Sequence, residues 1–225
     1  MQAVHSSARS MGRRLGTIFA CGAMALAGSP SPGFGQSREA SAVFAGGCFW
    51  GVGSVFEHVR GVRSATSGYS GGSVPDPSYE LVETGGTGHA ESVRVVYDPA
   101  QVSYRQLLEV FFLVAHDPTT RDRQGPDAGS QYRAIVFYQD SAQREDVRSY
   151  IAELTARHAL AGPIVTEVRP FQAFYRAEGY HQHYAARHPT QLYIVINDAP
   201  KVERLRRLFP ALYVGGEGAQ PPARP

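Results

Sequence analysis

Apolar residues recur along this chain with two different periods. Val43, Phe44 and Ala45 form a short apolar run closed by Gly46 and Gly47, which reads as a buried strand. Directly behind it Trp50, Val52, Val55 and Phe56 fall at near-helical spacing. They predict a helix over residues 48–58, ended by Gly61. Residues 62–69 and 91–97 read as strands, and the Gly- and Pro-rich stretch 71–88 between them as a loop. Ser103 with Gln106 three residues on predicts a capping box, and the helix behind it has Leu107, Leu108, Phe111 and Phe112 on its apolar face. Residues 117–131 read as a long loop, 133–138 as a fourth strand, 141–158 as a long helix and 164–168 as another short strand. The region around Gln182 and residues 202–209 read as helical. The first six elements run strand, helix, strand, strand, helix, strand. That order predicts an α+β fold, a two-layer ferredoxin-like α/β sandwich with its helices on one face of the sheet. The long loops left over carry function more often than structure.

Composition narrows the partners. The 225 residues suit one ordinary domain. The net charge of +2 comes with no basic run, which argues against a nucleic-acid partner. Arg9, Arg13 and Arg14 all precede the first acidic residue, Glu39, and losing them would take the charge from +2 to −1. The start of the chain has the plan of a secretory signal: Arg13–Arg14, a mostly apolar stretch over 15–26, then Ala25-Leu26-Ala27 as a cleavage site. The paired arginines raise a twin-arginine route. Ile18-Phe19-Ala20-Cys21 imitates a lipoprotein site, but the apolar run continues past it. The stretch is too short for a transmembrane helix, which needs about 20 apolar residues. The expected organisation is a signal peptide over 1–27, a flexible leader over 28–40, a folded domain over 41–213 and a disordered tail over 214–225. The mature protein is then an exported, periplasmic monomer without a membrane span.

The chain has two cysteines, Cys21 and Cys48. If Cys21 leaves with the signal, Cys48 is a lone thiol in an exported protein, either inert in the core or reactive. Its neighbours bear on that choice. Gly46-Gly47-Cys48-Phe49-Trp50-Gly51 puts the thiol where a strand turns into a helix. Free backbone N–H groups and the positive end of the helix dipole favour a thiolate there. Phe49 and Trp50 would form an apolar wall for a small group. Further on, Gly85-Gly86-Thr87-Gly88-His89-Ala90-Glu91 delivers Glu91 to the start of a strand. Glu91 is either a surface residue or, if it points inward and is desolvated, a general acid. His89, just ahead of it, reads as structural. The stretch from Arg123 to Arg133 adds Asp127 and Tyr132. Asp127 could serve only its own turn, whereas a tyrosine can hold an oxygen without adding charge.

Taken together, these segments resemble the methionine sulfoxide reductase A family. The matching stretches are Gly47-Cys48-Phe49-Trp50-Gly51, Tyr79 with Thr87-Gly88-His89-Ala90-Glu91, His116-Asp117-Pro118-Thr119, Arg123-Gln124-Gly125, Gln131-Tyr132-Arg133, and Phe174-Tyr175-Arg176-Ala177-Glu178 with Tyr180-His181-Gln182. They stand in family order over residues 42–213. The resemblance implies that Cys48 is the nucleophile and that Glu91 protonates the sulfoxide oxygen. Tyr79 and Tyr132 would hold that oxygen, Asp127 would organise the polar side, and Phe49 and Trp50 would enclose the substrate methyl. It also implies selectivity for the S epimer, no prosthetic cofactor, and an external thiol such as thioredoxin or glutaredoxin as reductant. Unlike many relatives, this chain has no cysteine in its last residues, 214–225, to attack an oxidised Cys48.

Two rival readings stay open on the residues alone. A hydrolase would use Cys48 with His89 and Glu91, and needs His89 within reach of the sulfur. A metal-binding module would use His181, His183 and His188, although residues two apart on a helix do not face each other.

Overall fold

The computed structural model describes residues 39–215. The signal peptide read over 1–27 and, up to residue 38, the leader read over 28–40 lie outside the described residues, as does the tail beyond residue 215; Ala40, the last residue of the expected leader, already lies in the first strand. Its main element is a six-stranded sheet in the order β7-β6-β1-β3-β2-β8. The four central strands are β1 (Ala40–Gly46), β2 (Val62–Ser70), β3 (Ala90–Tyr97) and β6 (Ala134–Tyr138), each antiparallel to the next among the four. Helix α1 (Phe49–Glu57) links β1 to β2 across β3, and α3 (Tyr104–Val110) begins the return from β3 to β6 across β1. This is the ferredoxin-like order predicted from the pattern.

Every residue of β1 from Ala42 to Gly46 is buried, because both faces of the sheet are covered. Ala42 and Phe44 join Val93, Val95 and Val136 in the main core. Helices α1, α3, α4 (Ser141–Ala156) and α6 (Ala199–Leu208) pack their apolar residues into that same core. At its centre the Phe44 ring stacks on Phe56 at 5.2 Å and on Phe111 at 4.8 Å. On the other face Val43, Ala45, Ala90, Ile135 and Phe137 form a smaller cluster, which Phe171 and Phe174 cover. The helices therefore keep to one face, as expected, while the C-terminal third of the chain closes the other.

The caps follow the chemistry of their residues. Ser103 Oγ accepts the Gln106 N–H at 3.2 Å and Gln106 Oε1 accepts the Ser103 N–H at 2.9 Å, which completes the predicted capping box. Asp140 caps α4 through the Gln143 N–H at 2.8 Å.

Several elements differ from the sequence-based expectations. The stretch 71–88, expected as loop, contains the short helix α2 (Tyr79–Glu83). The expected loop 117–131 contains a small hairpin of β4 (Arg123–Gln124) with β5 (Asp127–Ala128) and the 3-10 turn Ser130–Tyr132. These pieces are too short to leave a period in the pattern. The strand expected over 164–168 is β7 (Glu167–Pro170), which pairs parallel to β6. The edge strand β8 (Phe174–Arg176) was not anticipated. Around Gln182 the chain forms the 3-10 turn Gly179–His181 and the single helical turn α5 (Tyr184–Arg187). Two π-helical turns also occur, Phe111–Ala115 behind α3 and Ile194–Asp198 ahead of α6. Order extends into the expected tail, since the Val214 N–H donates to the His58 carbonyl at 2.9 Å. Among the described residues no helix is long and apolar enough to cross a membrane.

Candidate active site

The turn from β1 into α1 sets the position of Cys48. Gly47 takes φ +89°, and a Cβ there would stand 2.5 Å from Cβ of Gln124, so only glycine fits this turn. Cys48 is then the N-cap of α1. Its thiol is buried, with 8 % exposure. Burial pushes the thiol well above its ordinary value, and the charges of Glu91 and Asp198 push the same way. The Trp50 backbone N–H and the Tyr193 hydroxyl pull it down. The helix terminus was expected to favour thiolate. Its N–H does act in that direction, but desolvation outweighs it in the resting site.

Strand parity sets Glu91. It shares a face with Val93 and Val95, the face covered by α1, and lies opposite Tyr69 of β2 in the register. Its Oε2 accepts the Phe49 N–H at 2.9 Å, one residue past the cysteine. Burial raises the Glu91 carboxyl to about 8; the Phe49 N–H opposes this, while Asp127 and Glu83 add to it. At neutral pH this group therefore carries its proton.

The remaining predicted residues come from short segments. Tyr79 opens α2, Tyr132 ends the turn Ser130–Tyr132, and Asp127 lies in β5. Burial raises the Tyr79 and Tyr132 phenols, and both also feel the charges of Glu91 and Cys48, so all of these groups share one neighbourhood. Phe49 is fully buried and packs against Tyr69 and His181 at 6.0 and 4.9 Å. Trp50 is the more accessible of the pair. It stacks on Tyr184 at 3.7 Å, meets Tyr193 edge-on at 6.0 Å, and donates its indole N–H to His181 Nδ1 at 3.1 Å.

Sequence reasoning assigned nothing to three residues that the fold brings here. The Tyr193 hydroxyl donates to Asp127 Oδ2 in a short hydrogen bond and also reaches Cys48. Glu178 accepts the Tyr69 hydroxyl and the Tyr79 N–H, each at 2.8 Å, which anchors α2 beside the site. Burial pushes the Glu178 carboxyl up, but its hydrogen-bond donors outweigh this and hold it below the usual range. Asp198, fully buried, is the third. Glu178 stood inside a recognised motif, whereas Tyr193 and Asp198 carry no local signal.

The histidines are committed elsewhere. His89 Nδ1 accepts the Gly72 N–H at 3.1 Å, so Nε2 bears the proton and donates to the Val74 carbonyl at 2.7 Å. Neither nitrogen is free to serve Cys48 as a base, which removes the geometry a hydrolase needs. His181 is engaged with Trp50, and His183 pairs with Glu57 at 2.8 Å.

Among the described residues Cys48 thus lies beside a buried acid, Glu91, with His89, His181 and His183 engaged elsewhere, an arrangement that suits thiol chemistry better than a cysteine–histidine hydrolase. Comparison with known proteins agrees. Residues 40–211 match the family model described as peptide methionine sulfoxide reductase. The chain is 53% identical to peptide methionine sulfoxide reductase MsrA 2 of Mesorhizobium japonicum over 173 residues, 77% of this chain and 89% of that protein. It is 49% identical to the MsrA of Halobacterium salinarum, covering 76% of this chain and 96% of that protein. Methionine sulfoxide reductase A of Corynebacterium diphtheriae superposes with a TM-score of 0.61 at 36% identity, over 70% of this chain and 78% of that one. Reduced Mxr1 from Saccharomyces cerevisiae gives 0.62 at 31% identity, over 69% and 89%. The chain belongs to the peptide methionine sulfoxide reductase A family and is a peptide-methionine (S)-S-oxide reductase, an enzyme of protein repair.

Proposed function

We propose that the protein reduces methionine S-sulfoxide, free or in proteins, by attack of the Cys48 sulfur on the substrate sulfur, with Glu91 as the acid. A sulfoxide oxygen leaves poorly until it is protonated, so the attack needs a neutral acid close by. The observation that carries this reading is Glu91, buried, seated on the Phe49 N–H and lifted to about 8. Tyr79 and Tyr132 hold the oxygen as neutral donors, and Asp127 organises the polar side with Tyr193. Trp50 with Phe49 encloses the methyl group. Separate places for methyl and oxygen select one epimer.

The product at the enzyme is a Cys48 sulfenic acid. Cys48 is the free cysteine among the described residues, and Cys21 falls in the segment read as a signal. An external thiol, of the thioredoxin or glutaredoxin kind, therefore resets the enzyme through a mixed disulfide. The exported location read from the N-terminus belongs to the same proposal, and N-terminal sequencing from the native host checks it: a chain starting near residue 28 is expected. The mechanism is tested by mass spectrometry after one equivalent of methionine sulfoxide without reductant. A gain of one oxygen, about 16 Da, on Cys48 is expected. Repeated turnover without added thiol would refute it.

A further inference from the structure

Trp50 is the single tryptophan of the chain, and three side chains fix its indole. Tyr184 stacks on it at 3.7 Å and Tyr193 meets it edge-on at 6.0 Å. The third hold is polar. The indole N–H donates to Nδ1 of His181 at 3.1 Å. His181 is 2 % exposed and touches residues of both halves of the site. Its ring lies 4.9 Å from that of Phe49 and 4.5 Å from that of Tyr79. Its other ring nitrogen, Nε2, is buried 3.9 Å from Glu178 Oε2 and has no hydrogen-bond partner among the described residues. A buried nitrogen left that way calls for an explanation.

Tautomer chemistry supplies one. A ring nitrogen that accepts a hydrogen bond carries no proton, so the imidazole is neutral and its proton sits on Nε2. The Glu178 carboxylate, 3.9 Å away, favours the proton on that side. The bond to Trp50 therefore exists only while His181 is neutral. A second proton would go to Nδ1 and set two N–H groups against each other. We propose that His181 is a positioning residue whose neutral Nδ1 fixes the Trp50 indole as the wall of the methyl side. It acts through Trp50 and takes no part in the bond changes at sulfur. The proposal rests on the reading of Trp50 as that wall.

The surroundings keep the ring neutral. Burial pushes His181 below its ordinary value of 6.5, against the charges of Glu178 and Glu80, which push it up. The other titratable groups facing it are the phenols of Tyr79 and Tyr180, both raised by burial and so uncharged near neutrality. From α1 it meets only Phe49 and Trp50. At neutral pH the acceptor is thus in place, and acidification removes it. A wall fixed in advance lowers the cost of ordering the site around the sulfoxide. Its loss should weaken substrate binding more than it slows the step at sulfur.

Because the chain has one tryptophan, its emission reports this contact directly and without substrate. Acrylamide quenching and the pH dependence of that emission are measured in the full chain, in His181→Phe and in His181→Asn. Single-turnover reduction of methionine S-sulfoxide is titrated alongside at neutral pH. His181→Phe keeps a ring but offers no acceptor. Its Trp50 should be quenched more readily, and the half-saturating sulfoxide concentration should rise roughly 3–10-fold, as for loss of one neutral hydrogen bond. The maximal rate should change by less than about twofold. His181→Asn, whose Oδ1 can stand in for Nδ1, should return half-saturation to within about twofold of wild type. Wild-type emission should show an acid step with its midpoint below 6.5, lost in both variants. The loss of that step in His181→Asn decides the matter if His181→Phe does not fold. Unchanged quenching or half-saturation in His181→Phe, no rescue by His181→Asn, no acid step in wild type, or a step of wild-type size in either variant would overturn the role of His181. Wild-type half-saturation in Trp50→Ala would overturn the reading of Trp50 as the wall, and so marks that failure apart.

Discussion

The two sides of this site are built in different ways. Cys48 and Glu91 stand on regular elements, the N-cap of α1 and the start of β3, and a single hydrogen bond from Phe49 joins them. Sheet register and a close-packed core set their separation, so neither can shift without disturbing many contacts. Tyr79, Asp127 and Tyr132 stand on segments of two to five residues, and Tyr193 near the start of the helical run that continues into α6; side-chain hydrogen bonds such as those of Glu178 and Asp127 hold them in place. In the proposed mechanism the attacking sulfur and its acid sit on the rigid side, and the donors to the oxygen on the other.

The comparison breaks most severely at the sulfur. Cys48→Ser should leave less than a few per cent of wild-type reductase activity with dithiothreitol as reductant, because a hydroxyl is neither ionised near neutral pH nor comparably nucleophilic. Next comes Glu91→Gln, expected to slow single turnover by roughly 10²–10⁴-fold while substrate still binds. Its residual rate should rise as pH falls, since solvent can then supply the proton. The same variant sharpens the comparison through stability. Between about 4.5 and 8 the folded wild type holds a proton on Glu91 that the unfolded chain has lost. Wild-type stability should therefore fall as pH rises through that window, and urea denaturation of the Gln variant should show a flatter dependence.

On the other side the effects should be smaller. Tyr193→Phe removes the donor to Asp127 and the contact with Cys48, and should lower kcat roughly 10–100-fold, as for loss of a hydrogen bond to a charged group. A change within twofold would take Tyr193 out of the site. Glu178→Ala leaves the Tyr69 hydroxyl and the Tyr79 N–H without their acceptor. It should destabilise the fold by about 1–3 kcal/mol in urea denaturation, and it should alter activity less than any change above.

Much of this arrangement was legible in the chain. The period of Val43–Phe44–Ala45 followed by Trp50, Val52, Val55 and Phe56 places Cys48 at a strand-to-helix junction, and the strand-helix order predicts the central sheet. The Gly-rich run ahead of Glu91 delivers that carboxyl to the start of a strand, where it can point inward. Those are local matters, settled by repeats of two and 3.6 residues and by the sharp conformational demands of glycine. What only the tertiary structure decided lies beyond any local period. Burial, not helix position, controls the resting Cys48 thiol, because desolvation depends on the packing of elements far apart in the chain. Glu178, Tyr193 and Asp198 reach the site from the C-terminal third, whose short turns leave no periodic trace. Their roles come from side chains that meet across the fold, and sequence spacing carries no information about such meetings.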